Sequence, residues 1–337
     1  MNQNYHTEIE FQQLTPKGQE VCGDIFLSRR VKEEGRTVLV LSDGVGHGIK
    51  ASVLATLTAT MALNYSSFHT KPEIAAQIIM DALPSSGETP NYATFTMIEI
   101  ESNGLIRTIN YDNPPVIILR GNQRFIPQKI YETPVRGEEN QGKMLRCMEF
   151  YALKEDRIIF LSDGVTQSGI GSPDLKMGWG HQQVVDFILK QIKNQPKLSA
   201  TKLAQKIVNR ALANDKYSLR DDTSCGVVYF REPREVMLIT GPPFYKIKDQ
   251  GFIQRIKEFT GMKMICGGTT AEIIARELGL KLDMVQYFAD MSLPPASILE
   301  GFDLVTEGIL TISKVEEILE NYSAETRLYD SPAEEVA

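Results

Sequence analysis

The sequence predicts an α+β protein: an antiparallel-looking part flanked by helices, followed by a small α/β unit. Three observations carry this reading. The apolar run Val38 to Leu41 stops at Ser42-Asp43-Gly44, and the residues after it have helical spacing, so a buried strand ends in a turn and leads into a helix. From Tyr92 to Leu161, short β-rich stretches alternate with turn residues. After Glu232-Pro233-Arg234 the composition changes, and strand, helix, strand, helix follow, the signal of parallel pairing.

Taken in order, His6 to Gln13 alternates and reads as a strand. Gly23-Asp24-Ile25-Phe26 opens a second, which Glu33-Glu34-Gly35 turns into Thr37 to Asp43. That hairpin carries a carboxylate near the end of each strand. A helix from about Gly46 to Tyr65 is expected to bury Ile49, Val53, Leu54, Leu57 and Met61 on one face. A second helix, Pro72 to Leu83, has proline in its first turn, where the missing donor costs nothing. Pro84 to Asn91 is a loop. Strands follow at Tyr92 to Ile100, Leu105 to Asn110, Val116 to Arg120, Lys143 to Leu153 and Arg157 to Leu161. Gly164 to Gly180 reads as a long loop, a kind that often carries function. Helices Gln182 to Lys193 and Ser199 to Ala213, the latter capped by Ser199, precede a closing strand, Ser224 to Arg231. In the second part, Val236 to Thr240 and Met262 to Cys266 are strands. Asp249 to Thr260 and the segment after Gly267-Gly268-Thr269-Thr270 are helices, and Ser313 with Glu316 forms a capping box for a last one. The expected division is 1–232, 233–323 and a disordered tail, 324–337.

Bulk properties exclude several classes. The net charge of -7 and the lack of a basic run beyond Arg29-Arg30 argue against a nucleic-acid partner. The four cysteines are scattered without a CxxC pair, which argues against a zinc site and a disulfide framework. No signal peptide is expected from MNQNYHTEIE, and no apolar run approaches the roughly 20 residues needed to cross a bilayer. A cytoplasmic protein with no membrane partner is the expectation.

Ser-Asp-Gly occurs twice, at Ser42-Asp43-Gly44 and Ser162-Asp163-Gly164, each time closing an apolar run. One such tripeptide is only a turn; two look like halves of one acidic site. Asp24 and Asp221, the latter followed by Asp222, also sit at turns beside strands. Carboxylates crowded beside buried strands repel unless cations neutralise them. Four carry about four negative charges, which two divalent cations would balance. Oxygen ligands without cysteine or clustered histidine favour magnesium, manganese or calcium. Gly44 and Gly164 permit sharp turns and could offer a carbonyl oxygen to a metal. A two-metal oxygen site suits hydrolysis of phosphate esters.

The set Gly23-Asp24, Ser42-Asp43-Gly44-Val45-Gly46-His47-Gly48, Ser162-Asp163-Gly164-Val165 and Arg220-Asp221-Asp222-Thr223-Ser224 resembles the metal-dependent serine/threonine phosphatases of the PPM (type 2C) family. It is most similar to their bacterial SpoIIE-like branch, over roughly Thr7 to Arg231. The resemblance implies a sandwich of two antiparallel sheets flanked by helices (α-β-β-α), with a dinuclear Mn2+ or Mg2+ site at one end. By position, Asp43 would bridge both ions with help from the Gly44 carbonyl. Asp24 would bind one ion partly through water, and Asp163 and Asp221 would complete the other. It further implies dephosphorylation of serine or threonine on a signalling protein, for instance one of anti-anti-sigma type, by a water shared between the metals. The small α/β domain would be regulatory or partner-binding; a homodimer is one option, and the sequence leaves the oligomeric state open. Many eukaryotic members place a histidine where this chain has Val45; His47 follows two residues later and is read as structural, which leaves the general acid open.

Plainer readings cover the remaining features. Asn113-Pro114-Pro115 is a structural turn, Trp179 packs a loop, Lys50 is solvated, and Gly267-Gly268-Thr269-Thr270 is a helix start capped by one of its threonines. Two rivals stand beside the phosphatase: a phosphatase-like module that binds phosphorylated partners without turnover, and another two-metal enzyme such as a nucleotide cyclase or nuclease.

Overall fold

A computed structural model describes residues 5–44, 46, 48–67, 72–82, 93–135, 142–284 and 296–321. The chain divides into two compact units, Met1–Pro233 and Arg234–Ala337. The expected loop at Pro84 to Asn91, Val45, His47 and the tail from 324 lie outside the described residues.

The elements of the first unit are, in order, β1 (His6–Leu14), β2 (Asp24–Val31), β3 (Arg36–Gly44), α1 (Ile49–Ser67), α2 (Pro72–Ala82), β4 (Ala93–Ile100), β5 (Leu105–Tyr111), β6 (Ile117–Arg120), β7 (Gln123–Arg124), β8 (Lys129–Pro134), β9 (Met144–Tyr151), β10 (Asp156–Leu161), α3 (Asp163–Thr166), α4 (His181–Asn194), α5 (Ala200–Asn214) and β11 (Thr223–Arg231). They build two sheets, ordered β2-β3-β4-β5-β9-β8 and β1-β11-β10-β6-β7. All their pairings are antiparallel.

The two-residue period of the strands sorts their side chains into layers. On β3, Leu39 and Leu41 point between the sheets, where they meet Ile98, Ile118, Ile158, Phe160 and Val228. Val38 and Val40 point outward onto Ala59, Ala62 and Ile79 of α1 and α2. On the other sheet, Ile159, Leu161 and Val227 face outward onto Val184, Ile188, Leu203 and Ile207 of α4 and α5. The result is an α-β-β-α sandwich. Phe160 stands opposite Gly226 on β11 and stacks toward Phe26 at 6.0 Å. A Cβ at Gly226 would lie 2.0 Å from the Phe160 ring, so this strand glycine makes room for an aromatic in the inter-sheet core.

The second unit comprises β12 (Val236–Ile239), α6 (Asp249–Glu258), β13 (Met262–Cys266), α7 (Gly268–Leu278), β14 (Asp283–Met284), β15 (Ser297–Ile298), β16 (Leu304–Thr306) and α8 (Ile309–Glu320). Its sheet runs β12-β13-β16-β15-β14; the first three strands are parallel and the last two add antiparallel. Ile239, Ile265 and Val305 pack on Ile253, Ile256, Ala271 and Ile274.

Several local expectations differ from the structure. In α1, Ile49, Val53 and Leu57 are exposed (73%, 59% and 43%), while Ala51, Leu54, Ala55, Ala59 and Ala62 are buried. The helix lies so close that a Cβ on Gly44 would fall 2.1 Å from the Ala51 carbonyl oxygen. The stretch after Leu161 is not all loop, since Asp163–Thr166 is a helical turn. The strands β7 and β8 were unexpected; they are short and largely exposed, with little apolar pattern to betray them. Ser313 and Glu316 do not form a capping box: both lie inside α8, which starts at Ile309 after Gly308. Thr270 does not cap its own helix; its hydroxyl accepts from the Gly241 N–H at 3.1 Å, and Gly267 holds the N-cap position.

Candidate metal centre

The β2–β3 hairpin places Asp24 directly opposite Asp43, and the next pairing places Asp43 opposite Thr94 of β4. The other sheet supplies the facing groups. β10 ends at Leu161, Ser162 takes the N-cap position, and Asp163 opens α3. Asp221 and Asp222 precede β11, whose Ser224 N–H donates to the Ser162 hydroxyl at 2.9 Å. A chain of hydrogen bonds ties the two sheets together here. The Gly44 N–H donates to the Gly23 carbonyl at 3.3 Å, and the Gly23 N–H donates to Asp222 Oδ2 at 2.7 Å.

Asp43, Asp163 and Asp221 line one cavity of about 460 Å3, together with Gly46, Thr94, Asp112, Asn113, Pro114 and Gln167. Asp24 does not reach its lining. It sits beside Asp43 on the neighbouring strand and is only 1% exposed, with neither carboxylate oxygen in a hydrogen bond. Asp222 Oδ1 is likewise buried without a partner. Among the described residues, no group of three or more Asp, Glu, His or Cys side chains is arranged as a ready-made coordination sphere. The expected ligands are thus gathered on one cavity and the strand beside it, rather than drawn onto a single point.

The electrostatics are those of crowded, buried acids. Burial raises the Asp43 pKa far above the carboxylate range, and the charges of Asp24, Asp163 and Asp221 push it the same way. Asp24 is pushed up to about 7 by burial and by Asp222 and Asp221, against the pull of the nearby Ser224 and Ser162 hydroxyls. Asp163 is also raised by burial, although hydrogen bonding with Asp43 and the Gly164 N–H opposes this. Ionising the whole set leaves buried charge that only cations can offset. Hard oxygen donors, unpartnered buried carboxylate oxygens and an open cavity fit divalent Mg2+ or Mn2+.

Sequence reasoning missed three neighbours. Gln167, one helical turn after Asp163, donates to Asp163 Oδ2 at 2.6 Å. Thr94 donates to the Asp43 carbonyl at 3.4 Å and also to Asn113 Oδ1. Asp112 lines the cavity with φ of 58°, a left-handed conformation that aspartate tolerates better than most residues. The sequence shows Asn113-Pro114-Pro115 as a turn, but nothing in it marks the preceding Asp112 as part of the site. Asn113 is more than a turn residue: its buried amide donates to the Thr96 hydroxyl at 3.1 Å and to the Leu41 carbonyl at 3.4 Å.

Comparison with known proteins agrees with this architecture. The family model described as Stage II sporulation protein E (SpoIIE) matches residues 33–231. No curated protein matches in sequence. The PP2C phosphatase domain with a fragment of the regulatory domain of SpoIIE from Bacillus subtilis superposes with a TM-score of 0.56 at 17% identity, covering 68% of this chain and 64% of that one. This chain therefore spans somewhat less than two thirds of that relative. The SpoIIE phosphatase domain from Bacillus subtilis in a form without domain swapping gives 0.51 at 15% identity, over 73% and 98% of the two chains. The RsbU and RsbW domains of a Mycobacterium tuberculosis protein give 0.53 at 18% identity, over 80% and 69%. At these identities the likeness is one of fold. With the family model spanning more than half of its length, the chain belongs to the SpoIIE family, and its first unit has the fold of the PP2C phosphatase domains.

Proposed function

We propose that the chain is a metal-dependent phosphatase acting on phosphoserine or phosphothreonine of a partner protein. The observation that carries this is the delivery of Asp43 from one sheet and Asp163 from the other to a single cavity, with Asp221 beside them and buried Asp24 on the strand next to Asp43. These four carboxylates and the Gly44 carbonyl are the groups that would hold two ions, Mn2+ or Mg2+. When bound, such ions neutralise phosphoryl charge and acidify a water enough to make it a nucleophile near neutral pH.

The chain's own residues do the positioning. Asp222, fixed on the Gly23 N–H, sets the spacing between the two sheets beneath the cavity. Gln167 orients Asp163, and Thr94 links the Asp43 backbone to Asn113. The unit beginning at Arg234 has a parallel-centred sheet, and a regulatory or partner-binding role fits it. The four cysteines are free thiols, as suits a reducing compartment, and among the described residues no helix is long and apolar enough to cross a membrane.

The test is a side-by-side assay of a phosphoserine peptide, ATP and single-stranded DNA with Mn2+. Release of phosphate from the peptide alone, abolished by a chelator, is the expected result. Turnover of ATP or DNA in its place would move the chain to another two-metal class. Peptide binding without turnover would make it a sensor of phosphorylated partners.

A further inference from the structure

The Asn113-Pro114-Pro115 turn separates two cavities. Pro114 lines the carboxylate cavity, while the next residue, Pro115, lines a second one of about 170 Å3. This second cavity opens where the inter-sheet core ends. Ile118 and Phe125 wall it from one side, Ile130 and Met148 from the other, and His181 at the start of α4 closes it. Its charged groups are two arginines from different sheets, Arg124 of β7 and Arg146 of β9.

Neither arginine has a carboxylate partner among the described residues. Arg124 donates only to Gln182 Oε1, at 3.3 Å. The Arg146 side chain makes no ion pair or hydrogen bond among the described residues, although Glu132 faces it across the β8–β9 ladder. Elsewhere in this unit arginines near the surface do find carboxylates, as Arg120 does with Asp156 at 2.9 Å, Arg231 with Glu8 at 2.7 Å and Arg107 with Glu101 at 2.8 Å. His181 is engaged by its Nε2 with the Pro115 carbonyl at 2.9 Å. Burial and the two guanidinium groups hold it below its ordinary pKa, so the positive charge of the cavity belongs to the arginines. The first turn of α4 carries no acidic residue to offset them.

Paired guanidinium groups beside apolar walls form a receptor for a carboxylate on a short aliphatic stem. The fork-shaped donors, both exposed, match the carboxylate, and the apolar walls receive its aliphatic stem. We propose that this cavity binds a Glu or Asp side chain of the substrate protein, close in sequence to the phosphorylated residue, and so selects substrates whose phosphosite has acidic neighbours. The inference rests on the phosphatase reading for the word substrate; the cavity and its unpaired arginines do not. An acid-binding pocket next to a carboxylate-lined cavity also gives docking a direction. The cavity with Asp43 and Asp163 repels an acidic segment until cations are bound, whereas the Arg124–Arg146 cavity attracts it.

The experiment compares two phosphoserine peptides, one flanked by glutamates and one by glutamines, with Mn2+ present. The wild type and the Arg124→Gln/Arg146→Gln variant of the full chain are used, with a small aryl phosphate as control. The wild type is expected to show a KM about tenfold lower for the glutamate peptide. In the variant that preference disappears, while kcat and aryl phosphate turnover stay unchanged. Equal KM values for the two peptides in the wild type, or a preference that survives in the variant, would overturn the proposal. Binding of the unphosphorylated glutamate peptide, followed by fluorescence anisotropy, separates this inference from the phosphatase reading. If no phosphopeptide is hydrolysed but glutamate-dependent binding is lost in the variant, the phosphatase reading fails and the anion pocket stands. Glutamate-peptide binding that is absent from the wild type or unaltered in the variant removes the pocket. Arg146→Gln alone, at an exposed position, serves if the double variant does not fold.

Discussion

Ser42-Asp43-Gly44 and Ser162-Asp163-Gly164 are the same three residues after the same kind of buried strand, yet different neighbours hold them. Ser42, Asp43 and Gly44 stay in β3; the Ser42 hydroxyl donates to the Thr94 carbonyl at 3.0 Å, and Gly44 presses on the backbone of Ala51 in the following helix. Asp163 leaves its strand and opens α3; the Ser162 hydroxyl accepts from the Ser224 N–H, and Gly164 presses on the Asp222 carbonyl. The first motif is supported by its own sheet and its own helix, the second by the approach to β11. What they share is a glycine where a backbone carbonyl comes within 2.1 Å of the place a Cβ would take. The comparison teaches that the glycine is common because both aspartates need close backbone packing behind them, and that the serine differs in what it holds.

Substitutions can break this equivalence in order of size. Asp43→Asn should reduce phosphatase turnover about 10³-fold with the fold intact, as read by initial rates and circular dichroism, because it removes charge and keeps shape. Near-wild-type turnover at saturating Mn2+ would put the bridge elsewhere. Gly44→Ala and Gly164→Ala should each destabilise by about 3 kcal/mol in denaturant unfolding, since the new methyl meets backbone rather than a movable side chain. Gly46→Ala, with φ of 93° and none of the described residues within 4 Å of its Cβ, should cost only about 1 kcal/mol of backbone strain. Equal losses at the three positions would erase the distinction between close packing and conformation. The serines should then separate. Ser162→Ala strands the buried Ser224 N–H and should cost about 2 kcal/mol, whereas Ser42→Ala forgoes one hydrogen bond and should cost about 1 kcal/mol.

A further expected effect is electrostatic. Asp24 is raised to about 7 in the folded chain, so folding takes up a proton at pH values between the ordinary carboxylate range and 7. The metal-free protein should therefore lose stability as pH rises from about 4 through 7. Mn2+, binding the folded state, should restore it, and more strongly at pH 8 than at pH 5. Melting temperatures with and without Mn2+ at the two pH values check this. A metal-free protein that gains stability over that interval would mean that Asp24 is already paired.

Much of this was legible in the sequence, and what was not has physical reasons. Strand ends could be read because Asp24, Asp43, Asp163 and Asp221 interrupt apolar runs at turns. The buried face of α1 was only partly legible, because size misled: Ile49, Val53 and Leu57 outrank alanine in hydrophobicity, but Ala51, Ala55 and Ala59 are the residues buried beside Leu54, and Ala51 lies against Gly44. The α8 start was hidden for the opposite reason. Ser313 and Glu316 have capping-box spacing, but the helix already runs from Ile309. Thr94, Asp112 and Gln167 belong to no local pattern; only strand register and one helical turn bring them to the cavity. The Arg124–Arg146 cavity joins the short β7, unseen in the sequence, to β9 of the other sheet.

The central claim is that carboxylates from two sheets form one site for two cations. Calorimetric titration of Mn2+ into the full chain and into its Asp43→Asn form tests it most directly. The account predicts about two ions bound per wild-type chain, with at least one lost or greatly weakened in Asp43→Asn. A wild type that binds no Mn2+, or an Asp43→Asn form with the same stoichiometry and affinity, would contradict it.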